Sequence, residues 1–168
     1  MTAGPGDVSG LRALLDQGWI RADEIVAVIG KTEGNGGRND FTRELAVGSV
    51  LRLLAERTGA SVSALEQRVV LSFSGGTEGV ASPHMVVLGV CAETAPGGER
   101  APGELGPKRL ALGVGFTRAF APEEIGRRAQ VLETARAVRE IALGLGLDAM
   151  ADVHLVQMKG AIPAASFD

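Results

Sequence analysis

Cysteine, histidine, excess positive charge and long apolar runs are all scarce in this chain, and each scarcity removes a class of function. One cysteine, Cys91, among 168 residues cannot close an internal disulfide, which fits a reducing cytoplasm. With 2 histidines and no Cys/His/carboxylate cluster at ligand spacing, no metal is expected, and His84 reads as a hydrogen-bonded structural residue. The 17 Lys and Arg against 20 Asp and Glu leave a net charge of −3 and no basic footprint for nucleic acid. No apolar run approaches the roughly eighteen residues of a membrane helix, and no charged leader with an apolar centre opens the chain. The expectation is a soluble, cytoplasmic protein with no cofactor, no metal, and neither nucleic acid nor membrane as a partner.

What is present is a hydrophobic content of 45%, enough for one core or two small ones, and glycine gathered at two places. Residues 25–29 are a continuous apolar run, the pattern of a strand buried on both faces. It leads into Gly30-Lys31-Thr32-Glu33-Gly34-Asn35-Gly36-Gly37, followed by Asn39-Asp40-Phe41-Thr42-Arg43. Such loops expose backbone N–H groups, and flanking Lys31 and Arg43 make a concavity suited to anionic or carbonyl-rich ligands. A phosphate-binding Walker loop would need glycine at position 25, which is Ile25, and a dinucleotide fingerprint would need glycine at 39, which is Asn39. Neither nucleotide pattern is complete.

A second stretch echoes the first. Residues 68–73 read as a strand that ends in Ser74-Gly75-Gly76-Thr77-Glu78-Gly79-Val80-Ala81-Ser82-Pro83-His84. Thr-Glu-Gly thus occurs twice after a β-rich run, once beside a lysine and once beside a serine. A serine and a lysine brought together can act as a hydrolytic pair, with loop amides such as that of Gly75 stabilising an oxyanion. Two ordinary glycine turns whose Lys31 and Ser74 merely cap or meet solvent would give the same spacing.

In chain order, residues 1–7 are expected to be loose. Asp7 or Ser9 caps a helix carrying Leu11, Leu14 and Leu15 and stopped at Gly18. Asp40 or Asn39 caps a second helix running to about Gly59, with Leu45, Val47, Val50, Leu51, Leu53 and Leu54 apolar and Arg43 in its first turn. Residues 61–66 make a short helical turn, and 85–91 a strand that buries Cys91. Residues 93–107, rich in Pro, Gly and charge, mark the best boundary. Beyond it, 108–116 read as a strand, and Pro122 opens a helix with Ile125, Ala129, Leu132, Ala135, Val138, Ile141 and Ala142 inward and Glu123 and Glu124 on a solvated face. Both Lys31 and Lys159 close an apolar strand, an internal repeat that predicts a first unit over 1–100 and an incomplete second one over 101–168. The fold class is α/β (α+β), built of sheet-and-helix units.

These motifs together resemble the ring-opening amidohydrolases, the family of cyanuric acid hydrolase and barbiturase. The resemblance extends through Leu112-Gly113-Val114-Gly115-Phe116-Thr117-Arg118, Pro122-Glu123-Glu124-Ile125-Gly126-Arg127 and Val153-His154-Leu155-Val156-Gln157-Met158-Lys159. It implies three similar units around a pseudo-threefold axis, each lending a Lys, an Arg and a Ser to a site for a flat cyclic ureide or imide. It places Lys31, Arg43 and Ser74 in the first unit's set, with Arg43, Ser74 and Gly75 binding the ring, and makes Lys159 the base for a serine beyond residue 168. Relatives of this kind carry a further strand before the segment matching 5–7, which implies a first unit over 1–100 with its initial strand missing. The implied activity is hydrolytic opening of cyanuric acid, or of barbituric acid, by a Ser-Lys mechanism in a homo-oligomer or with a complementing chain. The alternative is a non-catalytic partner subunit or a truncated relic.

Overall fold

The computed structural model describes residues 1–37, 39–76, 82–90, 111–147 and 149–160. These fall into two units, within Met1–Gly106 and Pro107–Asp168. The first carries helices α1 (Ser9–Asp16), α2 (Thr42–Thr58) and α3 (Val62–Glu66) and strands β1 (Ile25–Lys31), β2 (Val70–Ser74) and β3 (His84–Gly89). Its helices and mixed sheet are the α/β architecture expected from the sequence.

Strand β1 is central in the order β2-β1-β3, parallel to β2 and antiparallel to β3. Register decides which side chains share a face, because successive residues of a strand point to opposite sides. Val28 aligns with Leu71 and Val87, and Gly30 with Phe73 and Met85; Val28, Leu71 and Phe73 belong to one hydrophobic core with Ile25, Val50, Leu53, Leu54 and Leu65, and Val87 and Met85 pack against it partly buried. The opposite face carries Ala27, Ile29 and Lys31 beside Val70, Ser72 and Ser74 and beside Leu88, Val86 and His84. Val28 and Ala27 are both buried, so the middle of β1 is covered on both sides, as its unbroken apolar run suggested.

Helix α2 buries Ala46, Val50, Leu53 and Leu54, the i, i+4, i+7, i+8 stripe of one helical face. Leu45, expected among them, lies about 100° around the helix from Ala46 and is half-exposed. Fully burying a leucine such as Leu54 stabilises by about 1.5–3 kcal/mol, so this stripe holds the helix on the sheet. The helix ends at Gly59, whose φ of 71° puts it in the left-handed region while its N–H bonds Ala55 O. Ser61 caps α3 by accepting from Ala64 N–H at 3.2 Å.

The amino terminus is tied down rather than loose. Asp7 accepts from Ala3 N–H at 2.8 Å and Ser9 N–H at 2.9 Å, and Thr2 N–H donates to Pro83 O at 3.0 Å. A carboxylate two residues ahead of a helix satisfies both the helix start and the turn before it.

In the second unit the helix expected from Pro122 is divided. Pro122–Glu124 is a single 3-10 turn, and α4 spans Arg128–Gly144. Gly126 lies between them at φ 71°, a conformation that cannot propagate a right-handed helix, and its N–H bonds Gln130 Oε1 at 2.7 Å. Glu124 is not merely solvated: it takes a two-pronged pair from Arg118 at 2.7 and 2.8 Å and accepts Ala121 N–H at 2.9 Å. The strands expected near 111–116 and 153–159 carry no ladder among the described residues. Apolar β pattern becomes a strand only where a neighbouring strand pairs with it, and no strand is present among the described residues of this unit. Cys91, the boundary at 93–107, the strand start at 108–110 and the second Thr-Glu-Gly at 77–79 lie outside the described residues.

Candidate active site

Lys31 is the last residue of β1 and Ser74 the last of β2, and the parallel register sets them side by side. Lys31 Nζ donates to Ser74 Oγ at 3.1 Å and to Gly75 O at 3.3 Å. His84 stands opposite Lys31 on β3, so lysine, serine and histidine form one row across the sheet, on the face away from the core. The row lies where the two parallel strands end, the edge at which open α/β sheets hold ligands. Ser74 is exposed and Lys31 partly buried. Two concavities, of about 390 and 230 Å³, are lined by other residues. His84 is held by a 2.6 Å bond between Nδ1 and Ser82 O, the structural role expected of it.

Two glycine segments leave this edge, and the start of α2 closes on them. Thr32 N–H donates to Ser74 O at 2.9 Å. Arg43, in the first turn of α2, donates from Nη2 to Gly37 O at 2.6 Å, and its Nε lies 3.9 Å from Asp40 Oδ2. The Asp40 side chain is wholly buried. It accepts Gly36 N–H at 2.8 Å, Thr42 N–H at 3.0 Å and the Thr42 hydroxyl. The Thr42 hydroxyl foremost, then the two backbone N–H groups and the Arg43 charge, hold its carboxyl below the ordinary value against the opposing effect of burial.

The structure thus joins Lys31, Ser74 and Gly75 directly, and links Arg43 to the same loop system through Gly37 and Asp40. Lys159 is exposed in residues 153–160 of the second unit. Among the described residues no group of three His, Cys, Asp or Glu side chains converges as a metal site, and no helix is long and apolar enough to cross a membrane. Sequence reasoning gave Asp40 only a capping role and passed over Thr32 and Thr42. The Asp-x-Thr spacing was the available signal, since an Asp side chain bonds the backbone two residues on.

The family profile described as amidohydrolase ring-opening protein matches residues 1–166. A cyanuric acid amidohydrolase of Bradyrhizobium diazoefficiens is 51% identical over 159 residues, covering 95% of this chain and 42% of that protein. Barbiturase 1 of a Nocardioides species is 40% identical over 153 residues, covering 91% and 40% respectively. The crystal structure of a cyanuric acid hydrolase from A. caulinodans matches with a TM-score of 0.71 and 40% identity, covering 87% of this chain and 37% of that one. The chain spans about two fifths of the length of these relatives, and over that span it belongs to the ring-opening amidohydrolase family.

Proposed function

We propose that this chain supplies part of a site that opens a cyclic amide ring by hydrolysis, with cyanuric acid the first candidate substrate and barbituric acid the second. The carrying observation is the Lys31–Ser74 contact, 3.1 Å, at the shared end of two parallel strands. Lys31 donates to Ser74 Oγ, which leaves the serine O–H to donate to a ring carbonyl. Arg43 and the Gly75 amide supply further donors for carbonyl oxygens. Lys159 is the base of the Ser-Lys mechanism: its neutral amine takes the proton of a serine from a further repeat, and that oxygen attacks a ring carbonyl carbon. The C–N bond then breaks, the ring nitrogen takes the proton, and water releases the opened product, carboxybiuret from cyanuric acid.

The test is a ring-opening assay on cyanuric and barbituric acids, with calorimetric binding, comparing Lys31→Ala, Ser74→Ala and Lys159→Ala. Lys159→Ala should abolish turnover. Lys31→Ala and Ser74→Ala should each remove a charge-assisted contact of about 1.5–3 kcal/mol, weakening ring binding about 10- to 100-fold. Turnover lost in Ser74→Ala but kept in Lys159→Ala would make Ser74 the nucleophile and reverse the assignment. A wild-type chain that neither binds nor opens either ring would favour a second reading, a non-catalytic partner subunit. The exposure of residues 154–160 supports that reading.

A further inference from the structure

We propose that Asp40 is the positioning residue of this site: its carboxylate clamps the 34–37 loop to the 74–75 turn and so sets the placement of Lys31, Ser74 and Arg43. This rests on the reading of those three as site residues. The clamp has two jaws. On one side Oδ2 accepts Gly36 N–H, and Oδ1 accepts both donors of Thr42. On the other side the carboxylate lies against Gly75, where an added Cβ would overlap Oδ2 and stand 2.9 Å from Gly36 N. An added Cβ at Gly34 would likewise overlap Oδ1 and Thr42 Oγ1.

The two glycines are explained by this contact and not by their backbone. Neither Gly34 nor Gly75 is among the glycines with positive φ, so another residue could adopt either conformation. What forbids a side chain there is the carboxylate, together with Thr42 Oγ1 at Gly34 and the Gly36 backbone nitrogen at Gly75. Each glycine motif therefore leaves room for Asp40, and Asp40 in turn joins two segments that sequence separates.

A line of hydroxyls extends the clamp to the strand ends. The Thr42 proton goes to Asp40, so Thr42 Oγ accepts from the buried Thr32 hydroxyl at 2.8 Å. Thr32 follows Lys31, and its N–H holds Ser74 O at 2.9 Å. A buried carboxylate requires charged or hydrogen-bonding partners, and this one has three donors and the nearby Arg43 guanidinium, from the 34–37 loop and the first turn of α2. Charge on Asp40 thus orders the donors that frame the Lys31–Ser74 pair.

The test compares Asp40→Asn, Thr42→Val, Thr42→Ser and Gly75→Ala with the exposed control Arg21→Ala. Asparagine keeps the shape but turns an NH2 toward either Gly36 N–H or the Thr42 donors, so one jaw opens. Folding is checked by circular dichroism, and the pair is observed through the NMR signal of 13C-dimethylated Lys31. The expected result is a displaced Lys31 signal in Asp40→Asn, Thr42→Val and Gly75→Ala, and wild-type signals in Thr42→Ser and Arg21→Ala. If the wild type opens cyanuric acid, Asp40→Asn and Thr42→Val should weaken ring binding and raise KM about 10- to 100-fold, the scale given for Lys31→Ala and Ser74→Ala. The change in kcat should be smaller, and Thr42→Ser should restore KM. A chain inactive on every ring defeats the functional reading but leaves the Lys31 signal to decide the clamp. Should Asp40→Asn not fold, Thr42→Val and Gly75→Ala carry the decision. Folded Asp40→Asn, Thr42→Val or Gly75→Ala with a wild-type Lys31 signal would overturn the proposal.

Discussion

Lys31 and Ser74 meet because β1 and β2 are in register at their last residues, and the carboxylates around them are held by donors rather than by burial alone. The same pattern recurs on the surface. Asp7 is lowered to about 2, chiefly by the Ala3 N–H, and Glu124 to about 2, chiefly by Arg118. Glu133 is lowered to about 2, chiefly by Arg136. Each of these carboxyls has a folded value below its unfolded one, near 4. Between about pH 4 and 2 the unfolded chain therefore binds more protons, and stability falls as the pH drops through that window. We expect the melting temperature to be level from pH 7 to about 5 and to decline steeply below 4. Asp7→Asn should flatten that decline, its curve meeting the wild type near pH 2. Melting followed by circular dichroism against pH checks this, and parallel curves for the two proteins would contradict it.

The elements show how far local pattern reaches. Strands β1, β2 and β3 and helices α1, α2 and α3 were legible from apolar period and glycine stops, which are properties of neighbouring residues; of the expected caps only Ser61 is the N-cap of its helix, α1 and α2 starting from Val8 and Phe41. Helix α4 was placed correctly only from Arg128 onward, because Gly126 takes a left-handed φ that the apolar spacing of Ile125 and Ala129 does not reveal. Glycine at a helix end has a measurable consequence. Replacing Gly59, at φ 71°, by alanine should cost about 1 kcal/mol, read as a lower urea midpoint with an unchanged slope. Gly59→Asn should lose less, since asparagine visits that region more readily. An alanine variant as stable as the wild type would show that α2 does not depend on its left-handed end.

At the scale of the whole molecule, two features favour association. Strands β2 and β3 are the outer members of the described sheet, and an outer strand is where another chain's strand can add by pairing. In the second unit Val131, Leu132, Leu143, Leu155 and Met158 are exposed, and apolar side chains such as these gain by being covered in an assembly. Light scattering should find the purified chain self-associated, with a mass that falls on dilution. A monodisperse monomer that unfolds cooperatively in calorimetry would refute this. The sequence suggested a repeat with Lys31 and Lys159 each closing a strand, and only Lys31 closes one among the described residues. A lysine after an apolar run becomes a strand-end lysine only when a second strand pairs with that run.

From sequence alone came the α/β class, the two chemical loops and the Lys31, Arg43, Ser74 and Gly75 candidates, because β-branched runs, glycine clusters and helix caps are encoded by adjacent residues. Tertiary structure alone decided that Lys31, Ser74 and His84 form one row and that Asp40 touches both glycine segments. The reason is physical: register and burial arise when residues 43 apart, as Lys31 and Ser74 are, are brought together by a core that neither loop contains.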